Sequence, residues 1–166
     1  LGLAYKKGIY PSSIHDLYMA YGRGEVGRFT VPAINLRSMT YNLARAIFKT
    51  AIKNNSGAFI FEIAKSEMGY TNQPPAEFTG VILAAAIREN WQGPVFIQAD
   101  HTQVNAKKFQ EDPDKELKVL EDIISDAISA GFYNIDIDSS TLVDLSKPDI
   151  KKQQKFNYEV CAKLTQ

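Results

Sequence analysis

The chain has 166 residues, 45% hydrophobic and 23% charged, which suits one ordinary globular domain spanning 1–166. Nineteen Lys+Arg balance nineteen Asp+Glu, so the formal charge is zero and no basic field exists to hold nucleic acid or an anionic membrane. The lone Cys161 excludes an internal disulfide and a Cys-rich zinc module and points to a reducing, cytoplasmic setting. No apolar run approaches the roughly 18 residues of a membrane span, and no signal-peptide pattern opens the chain.

Taken in order, the first element expected is a helix over about 12–21, capped by Ser12 or Ser13. Four strand–helix pairs then follow. Buried strands are read at 29–35, 57–64, 94–101 and 134–140, each a short apolar run. Helices are read at about 40–53, 75–90 and 114–130, with another starting near Pro148. The third carries Leu117, Leu120, Ile124, Ala127 and Ile128 on one stripe. Pro75 can open a helix, while Gly57, Gly93 and Gly131 each follow a helix and precede a strand. Alternating β and α with near-continuous apolar strands means a parallel sheet covered by helices.

Alternation within the strands carries the functional information. One face holds Ile34, Phe59, Phe61, Ile63, Val95, Ile97, Ile135 and Ile137. The other holds Asn35, Glu62, Gln98, Asp100, Asp136 and Asp138, gathered toward the C-terminal strand ends. An open doubly wound sheet would bury such a carboxylate row beneath helices, at high cost. In a (β/α)₈ TIM barrel it would line the mouth, where barrel enzymes keep their catalytic groups. The expected fold is therefore such a barrel, with this chain supplying a leading helix and about the first four βα units.

Gly22-Arg-Gly24-Glu-Val-Gly27 matches G-x-G-x-x-G by letter but leads from a helix into a strand, the reverse of a dinucleotide fingerprint, and reads as a connector. Asn54-Asn55-Ser56 reads as a loop, His15 as a surface or capping residue, and Cys161 as a buried small residue. Gln98-Ala-Asp100-His101 differs, because a carboxylate and an imidazole at the end of an apolar strand need hydrogen bonds or a metal. On local sequence alone, a metal site and a hydrogen-bonded pair that fixes the following loop are equally good readings. Asp136-Ile-Asp138-Ser-Ser140, at the same height one strand later, favours a site.

Val31-Pro-Ala-Ile-Asn35, the strand ending Gln98-Ala-Asp100-His101, and Ala130-Gly131-Phe132 leading to Ile137-Asp138-Ser139-Ser140 together resemble the class II, metal-dependent fructose/tagatose-bisphosphate aldolases. The resemblance runs from about residue 12 to 165. It implies reversible aldol cleavage of a ketose bisphosphate to dihydroxyacetone phosphate and glyceraldehyde 3-phosphate. It further implies His101 as one of three histidine ligands to Zn²⁺ and Asp100 as the acid at the aldehyde oxygen. Asp138 matches a position that holds a second cation in some members, and Asn35 a residue near the phosphorylated sugar. Glu62 stands where the family has Gln, and Ala64 where it has Ser, with Ser66 the candidate substitute in substrate contact. No Schiff-base lysine is required, and none of these strand ends is expected to present one.

The family's other two histidine ligands and its phosphate loops come from later strands, so this sequence is expected to be the N-terminal half of a barrel that forms a homodimer or higher oligomer when whole. Alone, it is expected to be nearly inactive. Two alternatives stand beside this reading. One is a non-catalytic, chaperone-like accessory subunit on the aldolase scaffold. The other is an aldolase for another phosphorylated or sulfonated sugar.

Overall fold

Amphipathic helices and short strands alternate along residues 1–166, all described by the computed structural model. An N-terminal turn of helix, α1 (Gly2–Tyr5), leads to β1 (Ile9–Ser12), α2 (His15–Gly22), β2 (Ala33–Asn35) and α3 (Thr40–Asn54). Next come β3 (Ile60–Ala64), α4 (Lys65–Thr71), α5 (Pro75–Arg88) and the long β4 (Gly93–Gln103). The chain ends with α6 (Ala106–Glu111), α7 (Pro113–Ser129), β5 (Asn134–Asp138), a 3₁₀ turn at Ser140–Leu142, α8 (Ile150–Gln153) and α9 (Lys155–Thr165). No helix is long and apolar enough to cross a membrane.

All strand pairs are parallel. Along one path the order is β1-β4-β3-β2, and β5 also pairs with β4. β1 lies along Gly93–Phe96 and β5 along Gln98–Gln103. The sheet is open, with β2 as one edge. The closed (β/α)₈ TIM barrel expected from the sequence is therefore overturned: five strands in this order do not form a cylinder. The physical reason is plain. Period-two alternation tells that one face is polar, but is silent on whether the edges of the sheet meet. It also missed β1, because Pro11 argues against a strand; here the proline sits in a four-residue strand bonded to β4.

The apolar face is as read. Phe59, Phe61, Ile63, Val95, Ile97 and Ala99 pack against Ala44, Phe48 and Ala51 of α3 and Phe78, Ile82 and Ala86 of α5. Phe48 is the hinge of an aromatic cluster, 5.1 Å from Phe61, 5.3 Å from Trp91 and 5.8 Å from Phe59. Each fully buried ring contributes about 1.5–3 kcal/mol relative to exposure. A second, smaller cluster of Val104, Leu117, Leu120, Leu142 and Val160 joins α7 and α9 beyond the end of β4. Of the stripe read on α7, Leu117, Leu120 and Ala127 are buried, whereas Ile128 is exposed.

Helix ends follow their chemistry. Pro75 occupies the first turn of α5, and Asp112 caps α7 by accepting from the Lys115 N–H at 3.1 Å. α2 begins later than expected, since Ser12 closes β1 and Ser13 accepts from the His15 N–H at 3.2 Å. Asn134 ties this junction to the sheet, accepting from the Ile14 N–H at 2.9 Å and donating to the Ile97 carbonyl at 3.0 Å.

Candidate functional site

Strand register places the polar residues side by side. Asn35 pairs with Glu62, Glu62 with Gln98, and Ala64 with Asp100. Between β4 and β5 the ladder breaks: Ala99 faces Ile135 and Thr102 faces Ile137, so Asp100 and His101 together oppose the single Asp136. This is a β-bulge, a device that re-aims side chains. In a regular strand Asp100 and His101 would point to opposite faces. The bulge brings one ligand atom from each of Asp100, His101 and Asp136 within 4.8 Å of one another. His101 accepts a left-handed backbone, φ 43°, to do so.

Asp138 fixes the imidazole. Its Oδ2 lies 3.1 Å from His101 Nδ1 and accepts from Gln103 Nε2 at 2.7 Å; its Oδ1 accepts from the Ser140 hydroxyl and N–H at 2.6 and 3.1 Å. Burial would raise the Asp138 carboxyl, but Ser140, Gln103 and His101 outweigh it and hold it at about 2. The same bond to Asp138, with the charges of Asp100 and Asp136, raises His101 above its ordinary value. With Nδ1 engaged, Nε2 is left facing Asp100, 3.9 Å from Oδ1. The bulge itself is held by the His101 N–H, which donates to Asp136 at 3.2 Å.

On the other side of Asp100, the Asn35 amide nitrogen bridges two carboxylates, donating to Glu67 at 2.9 Å and to Asp100 at 3.4 Å. Glu67 sits in the first turn of α4 and accepts from the Ala64 N–H at 2.8 Å and from Arg37. Burial opposes its charge, yet the Ala64 N–H, Arg37 and Asn35 keep it below the usual carboxylate range. Glu62 is pushed the other way, raised by burial and by the nearby charges of Asp100 and Glu67; Gln98 donates to it at 3.2 Å.

Asn35, Arg37, Glu62, Glu67, Asp100 and His101 line a polar cleft of about 730 Å³ at the C-terminal strand ends. Of the sequence-derived candidates, Asn35, Glu62, Ser66, Asp100 and His101 all border it, and Asp138 stands behind His101. His15 is not among the lining residues, so His101 is the one imidazole of the cleft. Asp136 was read from sequence as a strand-end carboxylate beside Asp138, without a role of its own; Glu67, Arg37 and Lys65 were not singled out. Glu67, three residues after the strand-ending Ala64, has the spacing of a helix N-terminal carboxylate that reaches back to a backbone N–H. Lys65 follows directly on β3, so one strand end does present a lysine.

The donors suit a divalent cation: two carboxylates and one imidazole whose second nitrogen is oriented by a further carboxylate. They do not form a three-histidine set.

No family model matches the sequence, and no curated protein does. Among solved structures, the chain is similar to a probable tagatose 6 phosphate kinase from Sinorhizobium meliloti 1021, with a TM-score of 0.57 over 82% of this chain and 18% identity. The chain spans 36% of the length of that structure. At this identity the likeness concerns the fold.

Proposed function

We propose that the cleft is the metal-bearing part of a lyase that cleaves and forms a carbon–carbon bond in a phosphorylated ketose, as the resemblance to class II aldolases implies. The observation that carries this reading is the bulge that gathers Asp100, His101 and Asp136, with Asp138 fixing the imidazole. His101 Nε2 and Asp136 would hold the cation, which the resemblance names as Zn²⁺, with Asp100 beside them. A divalent ion there would polarise the ketone carbonyl and stabilise the negative charge that develops when the adjacent proton leaves. Asp100, which accepts from Asn35, would then be left for the acid role at the aldehyde oxygen that the resemblance implies. Asn35 and Ser66 would bind the substrate's hydroxyl oxygens, and Glu62, raised by burial, can hold a proton at the same wall. Arg37 supplies a cation at the rim. A second divalent or monovalent cation near Asp138 is disfavoured by its four hydrogen-bond donors.

The solved structure's printed name points to the same ligand class, a phosphorylated sugar, but to phosphoryl transfer. That reaction is the weaker reading, because the turns after β3 and β4 carry no glycine with which to cradle phosphates. A non-catalytic accessory subunit is the second reading, favoured by the single imidazole in the cleft. We assign the whole protein to the cytoplasm, as a homodimer or higher oligomer.

Calorimetric titration with Zn²⁺ or Mn²⁺ tests the reading. One ion per chain is expected, with the affinity lost in His101→Ala and reduced about 10–100-fold in Asp138→Asn. Aldehyde release from ketose bisphosphates by the intact protein then separates enzyme from accessory subunit. Absence of stoichiometric binding would remove the proposal altogether.

A further inference from the structure

Glu67 is the most buried acid of the cleft wall, 6% exposed against 9% for Glu62. Three donors converge on it. The Ala64 N–H at 2.8 Å and Asn35 Nδ2 at 2.9 Å share its Oε2, while Arg37 Nε meets Oε1. A backbone N–H and a guanidinium have no acceptor to offer, and they help to keep Glu67 below the usual carboxylate range. The third donor is an amide, which has one end of each kind. Its surroundings choose between them. Nδ2 also lies 3.4 Å from Asp100 Oδ2, so its two hydrogens meet two carboxylates. Turning the amide over would set Oδ1 against both, exchanging two attractive contacts for two repulsive ones. Oδ1 therefore faces away from the acids. It has no protein partner, yet it is not sealed from solvent, and Asn35 borders the cleft.

We propose that Glu67 is a positioning residue: it locks the Asn35 amide so that the cleft meets an acceptor there and never a donor. The group that Asn35 selects is then a hydroxyl, which has a hydrogen to give. A phosphate or carboxylate oxygen without a hydrogen is refused at that position. Glu67 touches no ligand itself and acts only through Asn35. This subsite presupposes the reading of the cleft as a sugar site, but the metal has no part in it.

Side-chain NMR of the isotope-labelled protein in EDTA tests this, with the Asn35 amide assigned by its loss in Asn35→Asp. Both Asn35 amide protons are expected to exchange with water about tenfold more slowly than those of the exposed Asn42. Erythritol, whose only functional groups are hydroxyls, is expected to move the Asn35 carbonyl carbon downfield in a saturable way. Sulfate, which has no hydrogen to give, is expected to leave it in place. In Glu67→Ala both the slow exchange and the preference for erythritol should disappear. Arg37→Met, which leaves the Ala64 and Asn35 bonds to Glu67, should keep both, and circular dichroism checks the fold of each variant. In the unmodified protein, exchange as fast as at Asn42, a response to sulfate as large as to erythritol, or no response to erythritol would each overturn the proposal. So would a folded Glu67→Ala that behaves as its parent does. Failure of Zn²⁺ binding, measured separately, would remove the lyase reading and leave Glu67 to be decided by these spectra.

Discussion

Asp138→Asn perturbs one atom pair and reads out at three levels. The Asp138 carboxylate has four donors, two on each oxygen, and its side chain is 11% exposed. An asparagine in the same rotamer keeps one acceptor oxygen and turns an NH₂ toward the donors of the other pair. The carboxyl is held at about 2 against a reference of 3.8. At 1.36 kcal/mol per unit, that depression corresponds to about 2 kcal/mol of native stability. Because the folded value is lowered, this contribution is present above the unfolded value and fades as pH falls through 3.8 toward about 2. Urea denaturation at pH 7 should therefore place Asp138→Asn about 2 kcal/mol below the parent, and the gap should close toward pH 2. All other carboxylates are common to both proteins, so the difference isolates this one. The same substitution removes the first cause of the raised His101 value, and an NMR titration should show the imidazole moving down. A gap that is constant with pH, or an unmoved His101, would refute the assignment of Asp138 as the group that orients the imidazole.

Four further outcomes follow from the same structure. Gly131 has φ 98°, and a Cβ there would stand 3.0 and 3.1 Å from Pro11, so Gly131→Ala should cost about 2 kcal/mol or more and lower Tm by about 4–8 °C in a thermal melt. Gly80→Ala, on the exposed side of α5 with open space around it, should instead gain about 0.5–1 kcal/mol, which controls for the loss of glycine itself. Thr79 buries a hydroxyl with no partner, so Thr79→Val should stabilise by about 1 kcal/mol in chemical denaturation. Since a metal must displace the proton from His101, whose value is raised, divalent affinity should climb with pH and level off above that raised value; a profile flat from pH 5.5 to 8, measured by calorimetry, would separate the imidazole from the ion.

Much of the element order was legible because strand and helix carry different periods. Phe59, Phe61 and Ile63 face one way and Glu62 the other, and the structure keeps that division. Closure was not legible. Whether an edge strand meets another edge depends on twist and on partners far along the chain, and nothing in residues 33–35 records it. The site was half readable. Asp100, His101 and Asp138 announced themselves as costly groups at strand ends. The bulge did not, because no glycine marks it: the extra residue is His101 itself in a left-handed conformation. Asp136 therefore looked like a neighbour of Asp138 rather than the direct opposite of Asp100 and His101. Glu67 and Lys65 lay just past a strand, in a stretch assigned to no element, yet both border the cleft from α4.

The pairing of β1 with the first half of β4 also bears on how the chain is made. Gly93 leaves the ribosome ~80 residues after Ile9, several seconds later at ordinary synthesis rates of about 5–20 residues per second. Throughout that interval the amino-terminal ribbon has no partner and is free to stick to other nascent chains. Pro11, which cannot donate a ladder hydrogen bond, guards it during the wait. The residue that hid the strand from a reader of the sequence thus also hides it from the wrong neighbour.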